Sequence, residues 1–289
     1  MTLLGLQYFN QGCRVLMLLA SQDLFKSYFG LEPSVVQNVQ AFVAIPWALK
    51  MLYGLLSDNV PLCGSRRKAY VVIGAIAQFL SMLALTLFPT QSLTLAYAML
   101  FLANTAMALC DVVVDSLLVI YARQYPEEGT EELAAFTGTC IGLGGLVGSL
   151  ISAYVTELSS PRWCFLFSAL LGLLILAIAL MLRSEKGVDG EEQLGFCPAV
   201  KRSCAEMKVL CRMSEFRNTL LFLLATMITV PTFLSFEYYF LLDEVQLSKF
   251  NYSMLQVLNQ FCLVLGSQIF SKCLAHAEYR SLFLANIIF

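Results

Sequence analysis

Pro46 to Lys68 reads P-W-A-L-K-M-L-Y-G-L-L-S-D-N-V-P-L-C-G-S-R-R-K. An apolar stretch carrying Lys50, Tyr53 and Gly54 runs to Ser57-Asp58, a short connector with Pro61 and Gly64 follows, and Arg66, Arg67 and Lys68 stand where the next apolar run begins. Two apolar helices joined by a turn with an acidic entry and a basic exit is the signature of a membrane hairpin, because clustered Lys and Arg at a span's end mark the side that stays in the cytosol.

The rest of the chain repeats this plan. Of 289 residues 58% are hydrophobic and 13% charged, more apolar content than one soluble core can bury, and apolar runs of ~20 residues recur. The fold class expected is an all-α integral membrane bundle. Spans are expected at 3–24, 35–56, 69–88, 93–120, 133–156, 163–182, 219–242 and 252–274: eight complete transmembrane helices, with the start of a ninth near Ser281. The sequence ends at Phe289 within an apolar run, so the expectation is the N-terminal part of a longer architecture.

Orientation follows from Lys and Arg in alternate connections. One side holds Arg66, Arg67, Lys68, Arg123, Arg183, Lys186, Lys201, Arg202, Lys208, Arg212, Arg217, Lys272 and Arg280; the other holds Lys26, Arg162 and Lys249. Thirteen against three puts the N-terminus in the cytosol. The one long connection, charged and broken by Gly187, Gly190, Gly195 and Pro198, separates six spans from those after it. The expected organisation is therefore a six-helix half (1–182), a cytosolic linker (183–218) and an incomplete second half (219–289), the two-half plan of a secondary transporter.

Several classes fall away. The basic residues are scattered over connections, which excludes a nucleic-acid interface. There is no C-x-x-C pair and one histidine, His276, so no metal site or cofactor is expected, and no nucleophile elbow or phosphate loop indicates an enzyme.

Charges inside spans each cost ~2.5–3.5 kcal/mol at a helix centre and so mark function or pairing. They are Arg14, Lys50, Asp111, Asp115 and Glu237. Lys50 lies ~10 Å from its helix's cytosolic end, Asp111 and Asp115 ~13 and ~8 Å from theirs, so their depths match. The aspartates are spaced i, i+4 and share a face. A cluster of Lys50 with Asp111 and Asp115 would exchange partners or a proton during transport; the competing reading makes Asp115 a static lock on Arg66 or Arg67. Gln7, Gln11 and Arg14 form one polar face of span 1, and Arg14 needs an anion, either substrate or a structural partner such as Glu237 or Asp111. Gly138, Gly142, Gly144, Gly145 and Gly148 suit a tight or sliding helix contact, and Pro46 and Pro231 suit kinks in corresponding places.

These residues also resemble a family. Gly54 to Asp58 with Gly64 and Arg66-Arg67-Lys68 is similar to the loop signature of the major facilitator superfamily. Adding Tyr8-Phe9, Gln11-Gly12, Lys26, Gly30-Leu31, Pro33, Pro46-Trp47, Lys50, Tyr53, Pro61, Tyr70, Asp111, Asp115, Arg123 and the glycines 142–148 narrows it to the folate/biopterin transporter family. The chain departs from that pattern at Met51, Ser65, Ala69, Ile120 and Phe136-Thr137. The resemblance implies a major-facilitator-type bundle of twelve helices in the full architecture, moving folates or pterins such as biopterin by alternating access with protons as coupling ion. It implies a conformational latch at Gly54, Asp58, Arg66 and Arg67, and substrate or coupling roles for Lys50, Asp111 and Asp115, with Gln11 and Arg14 joining them on the physical argument. Substrate carboxylates would meet Arg14 and Lys50, Tyr8, Phe9 and Trp47 would stack on the pterin ring, and a proton or Lys50 would decide the charge of Asp111. The alternatives are a carrier of another organic anion, amino acid or drug, or a truncated, non-transporting membrane protein. A multi-pass location surrounded by membrane lipids is expected, with the plasma membrane favoured.

Overall fold

The computed structural model describes residues 2–62, 65, 67–88, 92–124, 130–181, 196–229 and 233–274. The described residues form helices and no strands, apart from an isolated bridge between Leu62 and Ser65. Helices α1 (Thr2–Gly12) and α2 (Arg14–Asp23) are one rod interrupted by a turn at Cys13 and prolonged by a π-helical turn, Leu24–Tyr28. The interruption falls where the rod comes closest to α7 (Thr130–Leu158): Gly12 abuts the Ile141 carbonyl, and the Cys13 thiol donates to the Gly144 carbonyl at 3.2 Å.

Helices α3 (Pro33–Ala48) and α4 (Lys50–Asn59) are likewise a single path broken at Leu49. Pro46 brings no N–H and disturbs the preceding turn, so the helix tightens past it: the Leu49 N–H reaches the Pro46 carbonyl at 3.2 Å, an i to i−3 bond. α5 (Lys68–Leu87), α6 (Leu93–Gln124), α7 and α8 (Arg162–Met181) follow, then α9 (Phe196–Arg212), α10 (Ser214–Thr229), α11 (Leu234–Asp243) and α12 (Lys249–Ile269), which ends in a second π-helical turn, Phe270–Leu274.

Among the described residues, five helical stretches are long and apolar enough to cross a membrane: 33–59, 68–87, 93–122, 132–158 and 162–181. They coincide with the second to sixth expected spans. The first expected span is helical but carries Gln7, Asn10, Gln11 and Arg14. The seventh is divided between α10 and α11, with Pro231 outside the described residues. The eighth corresponds to α12, polar at Asn251, Gln256, Asn259 and Gln260. Part of the connection expected at 183–218 is helical, since α9 and the start of α10 lie within it; residues 182–195 and the ninth span near Ser281 are outside the described residues.

The bundle is apolar outside as well as inside. Leu80, Leu170, Leu180 and Leu221 are exposed, as lipid-facing side chains are, while Leu16, Phe25, Met82, Leu100 and Phe165 fill one core and Leu3, Val71, Ala75 and Ile175 another. Polar glue crosses it: Asn10 and Gln78 exchange amide hydrogen bonds of 3.1 and 3.0 Å, and Gln78 also donates to the Ser168 carbonyl at 3.3 Å, joining α1, α5 and α8. α7 is packed on two sides through its glycines. Gly144 and Gly148 meet the backbone around Phe9 and Cys13, whereas Gly138, Gly142 and Gly145 meet Ser267, Val264 and Gln260 of α12. The tight contact expected from the glycine spacing is thus made on both faces.

Candidate functional site

The break at Leu49 sets the geometry of the site. Beyond it α4 presents Lys50, and before it α3 presents Trp47; both face α6, which runs parallel to them. Phe42 stacks on Phe101 with centroids 5.1 Å apart, the Trp47 indole N–H donates to Asn104 Oδ1 at 2.9 Å, and the Lys50 ammonium donates to Asp111 Oδ2. Asn104, Asp111 and Asp115 share one face of α6 because seven and four residues are close to whole numbers of turns.

Asp111 is 1% exposed, and its Oδ1 has no hydrogen-bond partner. Asp115 is half-exposed, with Lys50 Nζ 3.8 Å from its Oδ2 and the Tyr8 hydroxyl donating to its Oδ1 at 2.8 Å. One ammonium therefore serves two carboxylates, one enclosed and one open. Arg14 is half-buried, and its guanidinium lies over the Trp47 ring, 4.4 Å from the centroid. Lys50 Nζ lies 4.9 Å from the same centroid. Gln7 and Gln11 each keep a buried Oε1 without a hydrogen bond.

The structure thus brings together Lys50, Asp111, Asp115 and Arg14, with Gln11 on the Arg14 side of α1–α2. Glu237 is elsewhere, acting on Tyr252. Two of the aromatics named from the sequence have partners within the site: Tyr8 donates its hydroxyl to Asp115, and Trp47 has two cations against its ring. Sequence reasoning missed Asn104. Its signal was present, an amide two turns from Asp111 on one face of an otherwise apolar helix.

The hairpin turn supplies the second group. Gly54 lets α4 approach Val112 of α6 closely, and Asp58 Oδ1 lies 3.9 Å from the Arg67 guanidinium, whose Nε donates to Ser116 Oγ at 3.2 Å. Arg66 and Gly64 lie outside the described residues. Tyr70 secures the exit of α4 by donating to the Val60 carbonyl at 2.7 Å. Among the described residues no three His, Cys, Asp or Glu side chains gather to hold a metal.

A third group lies at the opposite end of the bundle. Lys249 of α12 pairs with buried Asp23 at 2.5 Å, and Lys26 with Asp243 of α11 at 2.5 Å, its ammonium 4.3 Å from the Tyr239 ring centroid. The Ser235 N–H donates to Gln37 Oε1 at 3.1 Å, and the Phe250 N–H to Glu157 Oε2 at 3.3 Å.

Such an arrangement, with one ammonium shared between two carboxylates inside an apolar bundle, can hold an anion or move a proton. The chain is 26% identical over 289 residues to the probable folate-biopterin transporter 9, chloroplastic, of Arabidopsis thaliana, covering 97% of this chain and 53% of that protein. It is 29% identical over 186 residues to the folate-biopterin transporter of Synechocystis, covering 64% and 37%. To folate transporter 1 of Plasmodium falciparum it is 23% identical over 238 residues, covering 82% and 46%. The chain spans about half the length of the curated relatives it matches, or less. Its helices and these relatives make it a multi-pass membrane protein. Residues 11–289 match the BT1 family, to which the chain therefore belongs.

Proposed function

We propose that this chain is part of a secondary transporter that moves folates or pterins across a membrane by alternating access, coupled to protons. The observation that carries the reading is Lys50 shared between enclosed Asp111 and open Asp115, with Arg14 beside them, in a chain of the BT1 family. The carrier is of the major facilitator type, with eight spans in this chain and twelve in the whole. Residues 1–182 form one half, 183–218 the linker and 219–289 the start of the other, and the N-terminus is cytosolic. Glutamyl carboxylates of a folate meet Arg14 and Lys50 by charge-assisted hydrogen bonds. The unpaired Gln11 oxygen offers an acceptor to a ring N–H of the pterin.

Coupling uses the two carboxylates. When Asp111 takes a proton from water on one side, Lys50 turns wholly to Asp115; when the proton leaves on the other side, Lys50 returns. Gly54, Asp58, Arg66 and Arg67 act as the latch that the turn end opens and closes.

The test is uptake of labelled folate and biopterin by cells expressing the full open reading frame, with external pH varied and Lys50→Ala beside the parent. Acid-stimulated uptake that disappears in Lys50→Ala supports both cargo and site. A correctly inserted protein that takes up neither compound at any pH refutes the cargo.

A further inference from the structure

Arg14 and Lys50 come from different helices, α2 and α4, yet both cations lie against one indole ring, 4.4 and 4.9 Å from its centroid. That ring is itself on the short segment after Pro46, where the helix tightens before breaking at Leu49. Trp47 is in the last turn of α3, and backbone position alone does not fix the orientation of its ring. What aims Trp47 is Asn104: its Oδ1 accepts the indole N–H at 2.9 Å, and its Nδ2 donates to the Leu100 carbonyl one turn back at 2.9 Å. Asn104 is fully buried, so its amide is shielded from water, while Trp47 at the other end of the bond is half-buried. The amide is thereby fixed in one orientation, with its acceptor toward α3.

We propose that Asn104 is a positioning residue for the anion-binding end of the site: by holding Trp47 it holds Arg14 and Lys50 at one spacing. The inference deepens the transport reading above and rests on it for the choice of substrates. A cation on an aromatic face keeps its charge and its remaining donors available, whereas a cation paired fully with a carboxylate is neutralised. Trp47 therefore keeps Arg14 beside Asp111 yet free to accept a second anion. Specificity follows from the chemistry: a folate, which ends in carboxylates, depends on the spacing of the two cations, and biopterin, which has no carboxylate, depends on it much less.

The test uses the full chain with Asn104→Leu, which removes the acceptor, Trp47→Phe, which keeps a ring but removes the donor, and the double variant. Each single variant is expected to raise the folate KM about tenfold at similar kcat, the double no further than either single, and the biopterin KM to rise by a clearly smaller factor. A second readout is independent of transport. In purified protein with every tryptophan but Trp47 replaced by Phe, Asn104→Leu is expected to shift the emission of Trp47 and raise its quenching by acrylamide. Unchanged emission and quenching overturn the proposal, and so do additive KM effects or an equal loss on both compounds. Altered emission in a protein that transports neither compound leaves Asn104 as the residue that holds Trp47 and removes the cargo reading instead.

Discussion

The two ends of the bundle distribute their charges differently. At the end carrying the hairpin turn, the ion pairs among the described residues include Lys50 with Asp111 and Asp115 and Arg67 with Asp58, all on helices before the long connection. At the opposite end they cross it: Asp23 and Lys26 on the first rod reach Lys249 and Asp243, on elements more than two hundred residues later. Each side contributes one acid and one base there. Among the described residues, the ion pairs that fasten the two sets of helices together lie at this opposite end. Toward the turn end the described contacts between them run along α7 and α12, where Gln268 donates to Thr139 at 2.7 Å.

The largest effect is expected at the turn end. On the coupling proposed above, Asp111→Asn should lower folate uptake more than tenfold and flatten its pH dependence; parental uptake with parental pH dependence would remove Asp111 from the coupling. Lys50→Met with Asp111→Leu should insert and fold, since a buried pair replaced by apolar groups is often neutral for stability, while still failing to transport. Loss of the folded protein would show that the pair is structural.

A smaller effect is expected opposite. Lys249→Met leaves Asp23 enclosed with only the Ser27 hydroxyl, which donates to it at 2.7 Å, and should destabilise the protein by about 3 kcal/mol in a thermal unfolding assay in detergent. Adding Asp23→Leu should restore most of that loss. If Lys249→Met leaves the unfolding midpoint where it was, the crossing pairs do not fasten the two sets of helices.

Glycine substitutions separate the two faces of α7. A Cβ at Gly144 would run into the Phe9 backbone, while one at Gly142 meets the movable Val264 side chain, so Gly144→Ala should destabilise the protein more than Gly142→Ala. The reverse order would place the tighter contact against α12. The smallest effect belongs to Lys26→Ala. Its partner Asp243 is more than half exposed, so the loss should stay below about 1 kcal/mol and shrink in high salt.

What was legible in the sequence was whatever regular geometry encodes. Helical rise alone put Lys50, Asp111 and Asp115 at one depth, and glycine spacing announced the close faces of α7. The rest depended on contacts that no local pattern carries. The pairing of Asp23 with Lys249 is not legible in the sequence, because nothing near either predicts a partner 226 residues away. The ring of Trp47 is legible as an aromatic in the site, but the two cations against it are not. The divided first span was hidden for a similar reason: Cys13 carries no helix-breaking signal, and the turn there follows from the approach of Gly12 to the α7 backbone.

The broken path at Leu49 has a mechanical consequence. α3 is tied to α11 through Gln37, whereas α4 is a stub of ten residues, about 15 Å long, bearing Lys50 at its root and Asp58 near its tip. With Leu49 as fulcrum, a tilt of roughly 15° carries the tip about 4 Å while the root scarcely moves. A tilt of that size would move Asp58 past Arg67 while leaving Lys50 at the aspartates, and the bond from Tyr70 to the Val60 carbonyl is what resists it.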